Sequence, residues 1–280
     1  MTAQTQTIAS GSPMRAALAF IRRDFLIAAS YRTAFAADLI GVLLKVITFY
    51  YIGAVFESGA SRALAGFGHN YFAFLIIGLA LTDFVATSLD TFSTSIRDSQ
   101  MAGTLEVVLL SPIRLTEMVV FSSLWPYLFT AVRFGAYVGF GWLLFALPIN
   151  PQGLPAAFAV LLLTILCFAP LGIMSAAIIM VFKKGAWFQM LISATGVILG
   201  GVAYPTTVLP PWASAVSYYL PLTHAVNAMR EALLNGRGLT GIGGDVSFLL
   251  VFSALLTPLS LWLFSLAVSR TKQLGTLTQY

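Results

Sequence analysis

Residues 156–182 read AAFAVLLLTILCFAPLGIMSAAIIMVF, 27 positions without one Asp, Glu, Lys or Arg. At 1.5 Å per residue a helix of that length covers about 40 Å, more than the ~30 Å hydrocarbon core of a bilayer. A segment set in lipid has no water for its N–H and C=O groups, so it must be helical. The ten-residue alternation of a membrane barrel is missing. The single cysteine, Cys167, lies inside this run. That excludes a disulfide or a Cys cluster within one chain and leaves the redox compartment unread.

Similar runs lie on both sides. Lys183-Lys184 separates this fourth span from a fifth at 186–203, and the turn Pro148-Ile149-Asn150-Pro151 joins it to a third at 118–147. The third is long enough to tilt or to kink at Pro126. Further spans read 35–56, 71–96 and 246–268. The fold expected is an all-α membrane protein of about six transmembrane helices. Composition agrees: 59% of the 280 residues are hydrophobic and 9% charged, with a mean hydropathy of +0.90. Soluble domains carry about 25% charge.

Upstream, residues 1–13 are polar, and Arg22, Arg23 and Asp24 fall where an export signal would place its apolar core. No cleavable signal is expected. Met14, Leu18, Ile21 and Phe25 recur at helical spacing, with Arg15, Arg22 and Arg23 largely elsewhere. That pattern predicts an interfacial amphipathic helix at 14–31. One domain, 14–269, is expected between a disordered start at 1–13 and a tail at 270–280.

The net charge of +5 and pI near 9.5 raise the question of nucleic acid. The basic residues sit in the connections, however. Arg15, Arg22, Arg23, Arg32, Arg97, Arg114, Lys183, Lys184, Arg270 and Lys272 fall on one side of the predicted spans, and Arg62, Arg230 and Arg237 on the other. This is the positive-inside pattern, with both termini cytoplasmic and no nucleic-acid partner.

Between the fifth and sixth spans, Pro205, Pro210, Pro211 and Pro221 punctuate a segment too apolar for an ordinary loop. It predicts a short piece at 212–220 and an amphipathic helix carrying Leu222, Ala225, Val226, Met229 and Leu233 on one face. Two short helices dipping back into the outer leaflet, or lying on it, would account for the pattern.

No lysine follows a glycine, so the Gly-Lys pair of a phosphate-binding loop is missing. His69 and His224 stand far apart without an acidic or Cys cluster, and no nucleophile elbow or paired carboxylates occur. The chain is therefore not expected to be an enzyme or to bind a metal. The polar break after the second span reads Arg97-Asp98-Ser99-Gln100-Met101-Ala102-Gly103-Thr104-Leu105-Glu106-Val107-Val108-Leu109-Leu110-Ser111-Pro112. Asp98 or Ser99 can cap a short helix that Ser111-Pro112 stops. Such a helix could present polar groups to a soluble partner or be an interfacial loop helix with none.

Within it, Gly103-Thr104-Leu105-Glu106 with Leu110-Ser111-Pro112 resembles the coupling-helix motif of type-2 ABC transporter permeases, a family of drug, polysaccharide and sodium exporters. A second stretch, Gly200-Gly201, Tyr204-Pro205, Leu209-Pro210, Leu220-Pro221-Leu222-Thr223-His224-Ala225 and Arg230, is similar to that family's fifth span and re-entrant helices. The resemblance covers nearly the whole chain. It implies a permease of the cell inner membrane that dimerises, as homodimer or heterodimer, and docks an ATPase subunit under each half. It implies that ATP and Mg are bound by that partner, with no cofactor in this chain. Arg97, Asp98 and Glu106 would make polar contacts to the ATPase, with Gly103, Thr104, Leu105, Ser111 and Pro112 shaping the helix. The N-terminal helix with Arg15, Arg22 and Arg23 would be an interfacial gate helix, and the spans would alternate between inward and outward access.

Lys45, Asp83, Asp90 and Arg133 fall inside predicted spans and Asp38 near the start of one. Each needs a partner, a wet cavity or a route to the interface. Lys45 lies about 15 Å from one boundary and Asp83 about 18 Å from the other, so the two can meet near the midplane. Asp38 and Lys45, like Asp83 and Asp90, are about two helical turns apart and share a face. A packing ion pair is favoured over a substrate or proton site. Drug-like or lipid-like cargo is favoured over polysaccharide or sodium. The rivals are a secondary carrier or channel using Asp83, Asp90 and Lys45, and an assembly subunit without transport activity.

Overall fold

A computed structural model describes residues 13–60, 70–101, 115–182 and 186–274. They form α1 Pro13–Ser30, α2 Arg32–Ala60, α3 Tyr71–Met101, α4 Leu115–Phe145, α5 Leu154–Phe182, α6 Ala186–Leu199, α7 Pro211–Tyr218, α8 Pro221–Leu233 and α9 Gly243–Leu274, with no strand among the described residues. Five segments are long and apolar enough to cross a membrane: Arg32–Phe56, Tyr71–Ser95, Val120–Phe145, Pro151–Phe182 and Gly243–Thr271. They meet five of the expected spans to within five residues at each end. α4 is continuous through Pro126. α9 continues beyond 269, where a tail was expected, through Arg270 to Leu274.

The remaining expected span, 186–203, is only partly helical. α6 has 14 residues, about 21 Å. It stops at Gly200 and Gly201, the latter at φ +70, a left-handed conformation open to glycine and strained for other residues. Even so, the segment follows α3 over much of its length. Gln189 Nε2 donates to the Leu89 carbonyl at 3.1 Å and contacts Ser93 Oγ at one end. Tyr71 Oη donates to the Ala203 carbonyl at 2.9 Å at the other.

α3 is the centre of the bundle: 72% of its most apolar window is buried, against 17% for α2 and for α9. Phe74, Ile76, Ile77, Leu81 and Phe84 form its inward wall. Its hydroxyls turn back onto the helix, Thr82 onto Gly78, Thr87 onto Asp83, Ser88 onto Phe84 and Thr91 onto Thr87, each donating to a carbonyl at 2.7–3.0 Å. A helix rich in Ser and Thr can thereby be buried without orphaned donors. α9 packs along α5, and α1 along the first turns of α4 through Phe20 against Phe121 and Phe25 against Trp125.

α7 and α8 each begin on a proline, Pro211 and Pro221, at a position whose N–H has no helical partner. α8 does not lie on a surface. All of Pro221–Leu233 except Asn227 and Glu231 is buried, packed against α3, α5 and α9. The Asn150 N–H donates to the Leu233 carbonyl at 2.8 Å, tying the α4–α5 turn to the end of α8.

The 102–112 part of the coupling segment, with Gly103, Thr104, Leu105, Glu106, Ser111 and Pro112, lies outside the described residues. So do His69, Lys183, Lys184, Arg114 and residues 1–12, together with the side chains of Arg15 and Asp98.

Candidate functional site

Three helices carry a polar seam. Lys45 Nζ on α2 lies 2.9 Å from Asp83 Oδ2 on α3, and Tyr137 Oη on α4 donates to the same oxygen at 2.6 Å. One carboxylate oxygen thus accepts from an ammonium and a phenol, which keeps both charges solvated by protein. The group is not sealed: the Lys45 side chain is 52% exposed and that of Asp83 28%. Nearer the N-terminal end of α2, Arg133 of α4 lies 3.5 Å from Asp38, with its guanidinium 5.2 Å from the Phe129 ring centre. Asp90 is the exception. Its side chain is exposed and makes no ion pair among the described residues, and the charge that acts on it is that of Arg97, seven residues on along α3.

The opposite end holds an arginine in the core. Arg230 of α8 is 1% exposed. Its Nη1 donates to the Gly201 carbonyl at 2.8 Å, Nη2 to Val202 at 2.8 Å and Phe74 at 2.9 Å, and the guanidinium lies on the Phe74 ring. The planar fork makes four such bonds from three nitrogens held at fixed spacing, more than the three donors of a lysine ammonium could supply from one point. It ties the left-handed bend at Gly201 to the first turn of α3. Gly78 makes room, since a Cβ there would stand 2.7 Å from Arg230 Nη2 and 2.6 Å from the Val202 carbonyl.

His224, nearly two turns earlier on α8, sits between Asp245 Oδ1, 2.6 Å from Nδ1, and the Tyr218 carbonyl, 2.8 Å from Nε2, and stacks on Phe248 at 3.9 Å. Burial disfavours the imidazolium, but hydrogen bonds to Asp245 and Tyr218 outweigh it and raise the pKa above the ordinary 6.5. Together Tyr218, His224 and Asp245 join α7, α8 and α9.

Two cavities flank these groups. One of about 400 Å³ is almost wholly apolar, walled by Val85, Phe168, Leu171, Leu191, Leu222 and Phe252. Another, of about 460 Å³ beside Arg230, is lined by polar groups including Thr206, Thr207, Asn227, Glu231, Arg237 and Asp245. Among the described residues no group of three His, Cys, Asp or Glu could hold a metal.

Residues 15–234 match the family model described as ABC-2 type transporter. The chain belongs to this family. As an ABC-2 permease it is a membrane transport subunit rather than a catalytic one. It is 25% identical over 242 residues to Nodulation protein J of Sinorhizobium fredii (strain NBRC 101917 / NGR234), covering 85% of this chain and 88% of that protein. Nodulation protein J of Rhizobium leguminosarum bv. trifolii is 26% identical over 219 residues, 78% of this chain and 80% of its own length. That of Neorhizobium galegae is 26% identical over 214 residues, 76% and 79% respectively.

Of the residues singled out in the sequence of this permease, the structure brings Lys45 to Asp83, Asp38 to Arg133, and Arg230 to Gly201. Tyr204 also belongs to the bend, its hydroxyl donating to the Ile198 carbonyl. The reading missed Tyr137, Gln189 and Asp245. Tyr137 stands four residues from Arg133 on one face of α4, a spacing that signals a shared seam once Arg133 is noticed. Gln189 was the only carboxamide in its run, and Asp245 the one acid at the start of the last span.

Proposed function

We propose that this ABC-2 permease is one half of an ATP-driven exporter of the cell inner membrane that moves an amphiphilic or hydrophobic substrate out of the cytoplasm. The family match across residues 15–234 carries the reading, since it takes in the N-terminal helix, the coupling segment and the Arg230 bend. A second permease copy and an ABC ATPase complete the machine. ATP and Mg act in the ATPase, and the helix around Gly103–Leu110, with Arg97, Asp98 and Glu106, passes the ATPase's closure to the spans as alternation between inward and outward access.

In this reading α6 with Gly200–Ala203 is a sixth crossing, supported by its contacts from Leu89 to Tyr71 along α3, about 27 Å of helix. Six crossings put Arg22, Arg23 and Arg270 on one side and both termini in the cytoplasm. α7 and α8 are the re-entrant pair at the outer face. The seam of Lys45, Asp83 and Tyr137 fixes α2 and α4 on α3. A secondary carrier would need Asp83 open to exchange, and its double engagement favours the packing role.

The apolar 400 Å³ chamber favours a hydrocarbon-bearing cargo. The polar cavity beside Arg230 favours the alternative, a hydroxylated saccharide. Proteoliposomes holding the permease with its ATPase distinguish these by which compound stimulates ATP hydrolysis: a long-chain amphiphile on the first reading, an oligosaccharide on the second. If the purified permease captures no ATPase, the exporter reading fails. If ATPase binding and stimulated hydrolysis survive Glu106→Arg in well-folded protein, the coupling assignment fails.

A further inference from the structure

A single residue, Tyr31, separates α1 from α2, and Arg32 opens α2 beside it. The elbow frames a groove of about 280 Å³ lined by Phe25, Ala28, Ala29, Arg32, Phe35 and Trp125. Five of the six are apolar, and the two alanines leave the space. Phe25 packs edge-on against Trp125 at 5.4 Å, and Phe35 lies 5.6 Å from Phe129, so the aromatic walls are held from α4. Phe25 is nevertheless 52% exposed and Phe35 41%. The apolar wall therefore stands open in the single chain.

Arg32 is the charge at the mouth, and it makes no hydrogen bond or ion pair among the described residues. Arg23 of α1 is engaged by Asp24 at 2.7 Å, which also removes the one acid of α1 from competition. Arg22 adds a further positive charge on the same helix. Arg32 is six residues, about 9 Å of helix, on the interfacial side of Asp38. Trp125 shares that level, the depth at which tryptophan favours a membrane boundary. One cation at the rim of an apolar trough is the complement of an anionic amphiphile. Free phosphate would meet a single donor there and no use for five apolar walls.

We propose that this groove binds an anionic phospholipid of the leaflet on the basic side of the protein. Arg32 takes the headgroup phosphate in its guanidinium fork, most favourably where no choline cation offsets that charge or crowds the arginine, and one acyl chain lies along Phe25, Ala28, Ala29, Phe35 and Trp125. The lipid then adds to the aromatic contacts that hold α1 and the start of α2 against α4 at the elbow.

The full chain, purified in detergent and exposed to equal amounts of phosphatidylglycerol and phosphatidylcholine of one chain length, tests this by native mass spectrometry. The wild type should retain phosphatidylglycerol severalfold over phosphatidylcholine. Arg32→Gln should bring the ratio to parity, while Arg237→Gln, in the outer polar cavity, should leave it unchanged. Ala29→Trp, a change at an exposed position that fills the trough and keeps Arg32, should lower retention of both lipids. Persistence of the headgroup preference in Arg32→Gln, or undiminished retention in Ala29→Trp, would overturn the proposal, and each variant decides it without the other.

Discussion

Asp83 accepts from Lys45 and Tyr137 through one oxygen, so the three side chains act as a unit. Reversing either charge alone places two like charges within hydrogen-bond reach inside the bilayer. Lys45→Asp and Asp83→Lys should each lower the yield of folded protein severalfold, and the double reversal should restore most of it, as read by fluorescence size-exclusion of a tagged chain. A yield that stays low in the double variant would move the pair from packing to substrate handling. Arg230→Met removes donors from the Gly201 and Val202 carbonyls, at roughly 1–3 kcal/mol each. Its melting temperature should fall, and Arg230→Lys should recover only part of the loss, because one ammonium nitrogen cannot replace the four hydrogen bonds made by three guanidinium nitrogens. For His224 the sign follows from a folded-state pKa above 6.5. The stabilisation by Asp245 is complete below that value and is lost as pH rises through the raised one. Melting temperature should therefore decline on going from about pH 6 to about pH 8, and His224→Gln should flatten the decline. The pairing of Lys45 with Asp83 was legible because two opposite charges at matched depth have few alternatives in lipid. Asp245 was not legible as the partner of His224, because 21 residues and a helix boundary separate them.

Helices of twenty or more apolar residues announce themselves, and α2, α3, α4, α5 and α9 were legible to within a turn or so. α6 was read as longer than it is. Its apolar run continues through Val202 and Ala203, and hydropathy does not register that Gly200 and Gly201 give the backbone a way to turn. α8 misled in another way. It was read as an amphipathic helix dipping into the outer leaflet or lying on it, and the partners that hold its polar residues in the interior, Asp245 of α9 for His224, and Phe74 of α3 and the Gly201 bend for Arg230, were not read. Pattern alone cannot distinguish a solvated polar face from a satisfied one. Gly78→Leu should report on the close approach there: the added side chain must displace either the Val202 carbonyl or the Arg230 guanidinium. A loss of about 1–3 kcal/mol is expected from such overpacking, visible as a lower melting temperature, and an unchanged value would mean that α3 and the bend can separate freely.

At the scale of the molecule, the proposed six crossings predict that both termini face the cytoplasm. Fluorescent-protein fusions at either end should be bright, and alkaline phosphatase fusions at either end inactive. One active phosphatase fusion would show that α6 with Gly200–Ala203 does not cross. The lipid-facing shell, with Trp142, Leu143, Phe158, Leu162, Val251 and Leu255 all exposed, was implicit in the composition. The assignment of surfaces to lipid or to a second copy was not, because both solvents of a membrane helix are apolar. The Lys45–Asp83 pair also sets an order of events during synthesis. Lys45 leaves the ribosome 38 residues before Asp83, a delay of roughly 2–8 s at 5–20 residues per second. For that interval the first hydrophobic helix holds an unmatched ammonium, at a cost of about 2.5–3.5 kcal/mol that its apolar residues alone must offset. Arrival of the second removes that cost, so a chain stopped between the two is expected to leave a helix with a weaker grip on the bilayer.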